Sequence, residues 1–368
     1  MKIGVPKELK NNENRVGLLP GGVRQLAHDG HELLVETRAG AGIGVDDETY
    51  IRAGAKIVSD PRELFDRSEM IVKVKEPLPE EIDRLRPHHI LYAYLHLAAD
   101  RELTEGLMKA GASCVAYETI QDPDGTLPLL IPMSEVAGRM ATQLGAVYLQ
   151  NDHGGKGILL GGVPGTRRAK VTVIGCGAAG TNAIKMAVGM GAQVTAIDLS
   201  IRRLEELDAL FSNRINTLFS NIENIEASVI ASDLVIGAVL IPGAKAPKLV
   251  TKKMISRMGK GSVVVDIAVD QGGCIETCRP TTHENPTFEV DGIIHYCVSN
   301  IPGAVAKTST YALTNCTLKH ARLLAALGVE KGAMKDSALK AGVNIYKGKL
   351  VYRQIAQDLG FPYTPLEF

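Results

Sequence analysis

The first 128 residues alternate short apolar runs with segments in which apolar residues recur every three to four positions. Short apolar runs between turn residues are typical of buried strands, and the longer period is typical of helices packed on a sheet. The predicted strands are Lys2–Pro6, Glu32–Glu36, Met70–Val74, His89–Leu95 and Ser113–Tyr117. The predicted helices are Gly22–His28, Asp47–Ala53, Pro61–Arg67, Pro79–Leu85 and Arg101–Ala110. Strands that alternate with helices predict a parallel sheet with crossover helices.

A second alternating set follows a long helix and a glycine-rich loop. Met133–Gln150 has helical periodicity with Ser134 as a candidate cap, and the loop Asn151–Ala169 holds six glycines. A loop of this length is more often functional or interface-forming than idle. The strands predicted around and after it are Val171–Ile174, Gln193–Ile197, Ser228–Ala231 (the weakest), Leu234–Ala238 and Ser262–Ala268. The helices Thr181–Met190, Arg202–Leu210 and Lys248–Met258 complete the prediction of a second parallel sheet.

The end of the chain is predicted to be mostly helical. Val305–Leu327 is a long apolar-periodic helix without internal proline or glycine. Ser337–Tyr346 and Val351–Leu359 follow as shorter helices, with a turn at Lys347–Lys349 between them. Nothing in this pattern supports a third core, so we expect these helices to pack on the preceding part of the chain.

Residues 170–198 combine the signals of a dinucleotide-binding βαβ unit. A buried strand is followed by the turn Gly175-Cys176-Gly177-Ala178-Ala179-Gly180, then by a helix and by a second strand ending at Asp198. Gly175 permits the tight turn, Gly177 lets the main chain approach a pyrophosphate, and Gly180 lets helix and strand pack closely. The start of the helix offers unpaired N–H groups and a positive dipole end to the phosphates.

The acidic residue that closes the second strand favours NAD over NADP. Asp198 can accept hydrogen bonds from both hydroxyls of the adenosine ribose, and its charge would repel a 2′-phosphate. Arg202 and Arg203 leave an alternative open, because an arginine can bind a 2′-phosphate. The plainer interpretation of the two arginines is a solvated first turn of a helix.

Composition argues against polyanionic partners. Lys plus Arg and Asp plus Glu each number 41 among 368 residues, so no net field attracts nucleic acid or an anionic membrane. No apolar stretch has the length of a signal peptide or a membrane helix, and we expect a cytoplasmic protein that acts on small molecules. Cys274 and Cys278 lack the second pair of a zinc ribbon, so we expect free thiols and no metal.

Four polar residues lie after predicted strands, where doubly wound sheets place their ligands. Arg15 lies in the loop after the first strand, and Lys75, His96 and Asp270 each end a predicted strand. Together they suit amino-acid oxidation: a cation for a carboxylate, a cation for a carbonyl, an acid/base, and a carboxylate for water and ammonium. Taken singly, each residue also has a purely structural interpretation. Arg15 could be a solvated loop arginine, and Lys75 could be one of two solvated lysines on an edge strand, the other being Lys73. His96 could be a core histidine, and Asp270 could cap a turn.

Seven motifs in order along the chain closely resemble the L-alanine dehydrogenase family. They are Gly4–Glu8 with Asn14–Gly17, Val72–Pro77, Tyr94–Leu97, Ile131–Glu135, the 175–180 turn with Asp198, Asp266–Gly273 and Val298–Gly303. The resemblance implies two Rossmann-like, doubly wound parallel-sheet domains of the α/β class with the active site in the cleft between them. It implies a discontinuous substrate domain of residues 1–128 plus 306–368, an NAD-binding domain of residues 129–305, and a homohexamer.

The resemblance also implies reversible, NAD-dependent oxidative deamination of L-alanine to pyruvate and ammonium. In the family, the residues matching Arg15 and Lys75 bind substrate, and those matching His96 and Asp270 are catalytic. The implied cofactor-binding residues are Ser134, Gly175, Gly177, Ala178, Ala179, Gly180, Asp198, Arg203, Ser220, Val239, Leu240, Ile267, Ala268, Val269, Asp270, Arg279, Val298, Ser299, Asn300 and Ile301. Cys176, Ala178 and Arg203 depart from the family's frequent residues, but backbone N–H groups make the turn's contacts and Arg203 remains a cation.

Two other functions remain open from the sequence. One is a nucleotide-binding module like the NAD-binding part of proton-translocating transhydrogenase, which would have a membrane partner and would need no amino-acid site. The presence of Lys75, His96 and Asp270 together argues against it. The other is a related dehydrogenase of a larger amino acid, such as a saccharopine-type substrate.

The implied role of His96 leads to a first prediction. A His96→Ala variant is expected to lose turnover by about 100-fold or more, because general acid–base catalysis contributes factors of this size. Binding of NADH should remain nearly intact, since the fingerprint residues are untouched. Steady-state assays with a fluorescence titration of NADH measure both quantities, and retained turnover would exclude this role for His96.

Overall fold

The structure is a computed structural model that describes residues 1–240 and 246–368. The chain divides into two compact units, which we call the first unit, Met1–Met133 with Val305–Phe368, and the second unit, Ser134–Ala304. Each unit is built on one sheet whose strands are mostly parallel, with helices in the connections. The predicted α/β class with two parallel-dominated sheets is therefore confirmed. The expected cleft and the roles of the two domains stay predictions.

The first unit contains an eight-stranded sheet with the order β15-β14-β6-β5-β4-β1-β2-β3. Its strands are β1 Lys2–Val5, β2 Glu32–Glu36, β3 Ala55–Val58, β4 Met70–Val72, β5 Ile90–Ala93, β6 Ser113–Ala116, β14 Val343–Tyr346 and β15 Lys349–Leu350. The strands β1 to β6 pair in parallel, and β14 and β15 extend the sheet as an antiparallel hairpin.

Helices of the first unit cover both faces of this sheet. They are α1 Pro20–His28, α2 Asp47–Arg52, α3 Pro61–Arg67, α4 Pro79–Ile82, α5 Arg101–Ala110, α11 Ala306–Lys335, α12 Ser337–Gly342 and α13 Arg353–Leu359. One core cluster includes Leu26 of α1 and Leu324 of α11 with strand residues such as Val72. A second cluster includes Leu64 of α3 and Leu107 of α5, so alternate strand residues are buried on opposite faces.

The second unit contains a seven-stranded sheet with the order β12-β13-β11-β10-β7-β8-β9. Its strands are β7 Lys170–Ile174, β8 Gln193–Asp198, β9 Ile215–Phe219, β10 Leu234–Gly237, β11 Val263–Asp266, β12 Thr287–Val290 and β13 Ile293–Tyr296. All neighbours pair in parallel except β12 and β13, which form an edge hairpin. Its helices are the part of α6 Ile131–Tyr148 from Ser134 onward, α7 Ala178–Gly189, α8 Ile201–Phe211, α9 Ile222–Ala231 and α10 Lys252–Ile255.

Small residues allow α6 to pack closely against its neighbours in the second unit. A Cβ atom at Gly138 would lie 2.0 Å from the carbonyl oxygen of Ala179, and one at Gly145 would lie 2.5 Å from the Leu234 side chain. The hydroxyl of Thr142 donates to the carbonyl of Ala183 over 2.9 Å. The helix α6 is therefore seated on the start of α7 and on the sheet.

Both sheets share a strand order whose connections reverse direction at one point. Each sheet has six parallel strands, and if only these are numbered along the chain, their order across the sheet is 3-2-1-4-5-6. In the second unit the sixth of them is β13, because β12 is antiparallel. The reversal lies between β1 and β4 in the first unit and between β7 and β10 in the second. Loops leave the carboxyl ends of such neighbours toward opposite faces, which opens a crevice where ligands bind.

Several predicted elements were wrong because tertiary packing outweighed local preference. The predicted strand Ser228–Ala231 is the end of α9, where Ile225 and Val229 are buried one helical turn apart. The strands β3, β9, β12, β13, β14 and β15 were not predicted. The helix predicted at Ser337–Tyr346 ends at Gly342, after which β14 pairs with β6. The predicted helix Lys248–Met258 is only Lys252–Ile255.

The ends of other elements also differ from prediction. The helix α6 begins at Ile131 with Pro132 in its first turn, so Ser134 lies inside the helix and does not cap it. The helix predicted at Val305–Leu327 begins at Ala306, and its predicted end is confirmed, because Gly328 has a φ of 71° and interrupts α11 before a further helical segment continues to Lys335. The strands β4, β5 and β11 end several residues before Lys75, His96 and Asp270, so these three lie in loops.

The search of the described residues for membrane spans and metal sites found neither. None of the helices there combines the length and the apolar composition that crossing a bilayer requires. No cluster of His, Cys, Asp and Glu side chains in this part of the chain is arranged to hold a metal ion. The six cysteines are free thiols, and Cys274 is buried while Cys278 is half-buried.

The contact at Gly138 leads to a prediction about stability. A Gly138→Ala variant should be destabilised by about 1–3 kcal/mol, because its methyl group meets a carbonyl oxygen that belongs to a packed helix. Gly189→Ala in α7 is the control, since its Cβ would meet nothing within 4 Å. The control should be neutral or up to about 1 kcal/mol more stable. Thermal unfolding measures both, and equal midpoints would contradict the packing argument.

Candidate active site

The glycine turn after β7 is held by close backbone approaches. Gly175 has a φ of 86°, and a Cβ there would lie 2.8 Å from the Val239 side chain. A Cβ at Gly180 would lie 1.9 Å from the carbonyl oxygen of Gly175. Both positions therefore require glycine for the turn and the helix to pack as they do.

The middle of the turn is open and presents donors. A Cβ at Gly177 would meet nothing within 4 Å. The first backbone bond of α7 runs from the N–H of Thr181 to the carbonyl of Gly177 over 2.9 Å, so the N–H groups of the three preceding residues have no partner within the helix. Open space beside such donors at the positive end of a helix fits a pyrophosphate.

Asp198 connects the ends of three neighbouring strands. Its carboxylate accepts the N–H of Cys176 over 2.7 Å and the N–H of Ser200 over 2.8 Å. Its carbonyl accepts the N–H of Ser220 over 2.9 Å. The glycine turn, Asp198 and Ser220 are therefore brought together at one edge. Burial raises the pKa of the Cys176 thiol to about 12, so this departure from the family pattern places a neutral, compact side chain in the turn.

The two arginines after β8 have different environments. Arg203 donates from Nε to the carbonyl of Cys176 over 2.7 Å and from Nη2 to the hydroxyl of Thr181 over 2.5 Å. A third bond joins it to Glu206 over 2.6 Å. The Arg202 side chain is 89 % exposed and lies 3.4 Å from Glu206. The interpretation of both as solvated cations is therefore wrong for Arg203, whose hydrogen bonds join α8 to the glycine turn and to the start of α7.

The ends of β10 and β11 supply further predicted residues. Val239 packs on Gly175, and Leu240 is exposed beyond it. Ile267 donates its N–H to the carbonyl of Gly237 over 2.9 Å, which ties the two strand ends together. Residues 267–270 lead from the strand into a short 3₁₀ turn, where Ala268 and Val269 are buried and Asp270 is exposed.

Asp266 supports this 3₁₀ turn and was not predicted as a functional residue. Its carboxylate is fully buried and accepts the N–H groups of Ala268 over 3.1 Å and Ile275 over 3.3 Å. Burial raises the pKa of Asp266 to about 6, although these bonds and Lys248 lower it. Lys248 also donates to the carbonyls of Gly273 and Ile275 over 3.2 and 3.3 Å. The segment that carries Asp270 is thus fixed on both sides.

The remaining predicted cofactor residues of the second unit lie in three places. Arg279 is exposed and lies over the Phe288 ring at 4.5 Å, and it makes no hydrogen bond to the glycine turn among the described residues. Residues 298–301 follow β13, where Val298 and Ile301 are buried, Ser299 is exposed and His283 contacts the carbonyl of Asn300 over 2.8 Å. Ser134 is one helical turn from Gly138 and shares its face of α6, the face that meets α7.

In the first unit, Arg15 is buried and paired. Its guanidinium donates to both carboxylate oxygens of Glu13, over 2.7 and 2.5 Å, and to the sulfur of Met133 over 3.2 Å. Burial alone would raise the pKa of Glu13, but the bonds from Arg15 hold it below its usual range. Gly17 lets the Arg15 loop approach the end of β4, since a Cβ there would lie 2.6 Å from the carbonyl of Val72. The alternative of a solvated arginine is wrong.

Lys75 follows the strand between those that precede Arg15 and His96, and Lys73 is not solvated. Lys75 is half-buried and contributes to lowering the pKa of Glu13. Burial raises the pKa of Glu76, but the attraction of Lys75, Lys10 and His96 lowers it below its usual range. Because neighbouring parallel strands end at the same edge of a sheet, Arg15, Lys75 and His96 lie at one end of it. The alternative of an edge strand is wrong, because β4 is central and the Lys73 side chain is 1 % exposed.

His96 has an unusual backbone and an exposed ring. Its φ is 50°, a conformation that few residues other than glycine adopt. The carboxylate of Glu118 accepts its N–H over 2.6 Å and the N–H of Leu95 over 3.1 Å. Its ring is stacked parallel to that of Tyr94 with centroids 5.9 Å apart. The interpretation as a core histidine is therefore wrong, and the imidazole is available for proton transfer.

Sequence reasoning missed the carboxylates that hold these segments. Glu8, Glu13, Glu81 and Glu118 accept backbone or side-chain donors of the candidate loops. Glu8 ends one motif that carried the resemblance and Glu13 directly precedes another, so their positions in the sequence were a usable signal. Glu118 follows β6 and contacts a segment that ends β5, so only strand pairing identifies its partner.

The chain is similar to proteins of one family along almost its whole length. Family models described as "Alanine dehydrogenase/PNT, N-terminal domain" and "C-terminal domain" match residues 4–137 and 141–353. Alanine dehydrogenase of Bacillus subtilis is 55 % identical over all of this chain and 97 % of its own length. A solved structure of L-alanine dehydrogenase superposes with a TM-score of 0.96 at 50 % identity, covering 98 % of this chain and 99 % of that chain. A transhydrogenase from Sinorhizobium meliloti superposes with a TM-score of 0.82 at 26 % identity, covering 96 % and 99 %.

The glycine turn leads to a matched pair of predictions. Gly177→Ala should leave stability unchanged but weaken NADH binding by about 10- to 100-fold, because its methyl group occupies the space open to a pyrophosphate. Gly180→Ala should lower stability as well, since its Cβ meets the Gly175 carbonyl. The chain has no tryptophan whose fluorescence could be followed, so binding is measured from the change in the fluorescence of NADH itself. Unchanged affinity in the first variant would contradict the assignment of this space.

Proposed function

This chain belongs to the alanine dehydrogenase/PNT family, and we propose that it catalyses the reversible oxidative deamination of L-alanine to pyruvate and ammonium. The observation that carries the proposal is that Arg15, Lys75 and His96 follow β1, β4 and β5, three neighbouring parallel strands whose carboxyl ends share one edge of the first unit's sheet. Two cations and one imidazole at a strand edge suit a small amino acid with a carboxylate and a developing carbonyl.

The nucleotide of this reaction is proposed to be NAD. When bound, it supplies a nicotinamide ring that accepts a hydride. The glycine turn and the first N–H groups of α7 would hold the pyrophosphate, and Asp198 would accept the ribose hydroxyls. A carboxylate offers about four lone-pair sites, and backbone N–H groups use two of those of Asp198. The negative charge of Asp198 disfavours a 2′-phosphate. Arg203 does not offset this, because it is hydrogen-bonded to the carbonyl of Cys176 in the turn.

Substrate binding is proposed to depend on two cations with different surroundings. Arg15 would hold the substrate carboxylate, and its pairing with Glu13 fixes the plane of the guanidinium. Lys75 would polarise the oxygen of the carbonyl as it forms. A compact ammonium on a flexible stem suits a group that must follow a changing atom. Arg15 would thus anchor the substrate, and Lys75 would activate its carbonyl.

Proton transfer is proposed for His96 and Asp270. Removal of hydride from the alanine Cα leaves an iminium, to which water must add before ammonium departs. His96 would accept the proton of that water and return it to the departing amine. The exposed carboxylate of Asp270 would orient the water and stabilise the cationic nitrogen. The carbinolamine then collapses to pyruvate and ammonium.

The test of this function is a spectrophotometric assay of nucleotide reduction with a panel of amino acids. We expect reduction with L-alanine and NAD, much slower reduction with bulky amino acids, and a clear preference over NADP. No reduction with any amino acid would favour a transhydrogenase-like module, and a preference for a bulky substrate would favour a saccharopine-type enzyme. A homohexamer and a cytoplasmic location are further proposals that the family resemblance supports, and light scattering tests the first.

A further inference from the structure

The segment that carries Lys75 has no regular secondary structure, and carboxylate side chains accept two of its backbone N–H groups. It runs from Lys73 to Leu78, between the end of β4 and the start of α4. The N–H of Val74 donates to Glu8 over 2.7 Å, and the N–H of Leu78 donates to Glu81 over 2.8 Å. Pro77 has no N–H, so the segment cannot continue as a paired strand. Two carboxylates thus flank Lys75 on both sides along the chain.

One buried ammonium holds both of these carboxylates. The Lys73 Nζ lies 2.6 Å from Glu81 Oε1 and 3.4 Å from Glu8 Oε2. The three side chains, which we call the buried triad, are each at most 2 % exposed. Burial lowers the pKa of Lys73, but attraction to Glu8 and Glu81 raises it above its usual value. Burial also raises the pKa of Glu8 despite the attraction of Lys73.

The buried triad lies where the strand connections of the first unit reverse. Glu8 follows β1 and Lys73 follows β4, the two strands on either side of that point. The Tyr117 hydroxyl donates to the carbonyl of Lys73 over 2.9 Å, and the N–H of Lys73 donates to the carbonyl of Tyr92 over 3.1 Å. The backbone before Lys75 is therefore held by Tyr92 of β5 and by Tyr117, which follows β6, as well as by the triad.

We propose that Lys73, Glu8 and Glu81 are positioning residues that set where the Lys75 ammonium meets the substrate. The inference rests on the role proposed above for Lys75. A buried charged triad is no better for stability than a well-packed apolar set, because desolvation offsets the attraction. The triad instead fixes the position of Lys75, since its two carboxylates bind the backbone N–H groups on either side of that residue.

Glutamine substitutions separate positioning from stability. In each glutamate the backbone N–H and Lys73 contact different carboxylate oxygens, so in Glu81→Gln or Glu8→Gln one of the two donors faces an amide nitrogen that cannot accept. The other glutamate still neutralises Lys73. Both variants should therefore fold. Glu63→Gln is the control, because its pair with Arg67 is exposed in the same unit. Lys75→Gln measures what loss of the functional cation itself costs.

The experiment measures steady-state constants for pyruvate and NADH separately, together with the thermal midpoint. We expect kcat/KM for pyruvate to fall about 10- to 100-fold in both triad variants, since small misplacements cost factors of this size. The KM for NADH should stay within about twofold, and the control should match the unsubstituted enzyme. Lowered midpoints with unchanged pyruvate constants, while Lys75→Gln is impaired, would overturn the positioning role alone. An active Lys75→Gln variant would overturn the proposed function of Lys75 and the positioning role with it.

Discussion

Parallel strands that end at one edge of a sheet are the constraint on which the rest of this molecule depends. In both units the order 3-2-1-4-5-6 sends the connections on either side of one point toward opposite faces. Loops that are far apart in sequence therefore meet there. In the first unit the Arg15 loop follows β1 and the Lys75 segment follows β4. In the second unit the glycine turn follows β7 and Val239 follows β10.

The two units use the same crevice in different ways. In the second unit, the backbone approaches closely at Gly175 and Gly180, and the space at Gly177 stays open beside N–H groups that have no partner within α7. In the first unit, side chains fill the corresponding place: Lys73 and Glu8 are fully buried there with their charges paired. An open crevice suits a dinucleotide backbone. A filled crevice instead provides a rigid support for residues that must contact a substrate of only a few atoms.

The candidate site was predictable where its signal is local. The glycine turn with Asp198 is a contiguous fingerprint, and its parts pack together as that pattern requires. Loop residues were harder, because His96, Lys75 and Asp270 were assigned to the ends of strands that stop before them. Apolar runs continue past the last paired residue, so periodicity alone extends a strand too far. The φ of 50° at His96 has no sequence signal at all.

The sequence by itself determined the class of the fold, most of the helices and strands, the nucleotide fingerprint and the family, because these depend on local periodicity and on contiguous motifs. Tertiary structure alone decided which charges are buried and what they touch. Glu8 binds the backbone of Val74, 66 residues away, and Lys73 is central because β4 lies between β1 and β5. Such partners are chosen by strand order, and strand order results from the packing of the whole sheet rather than from any local run of residues.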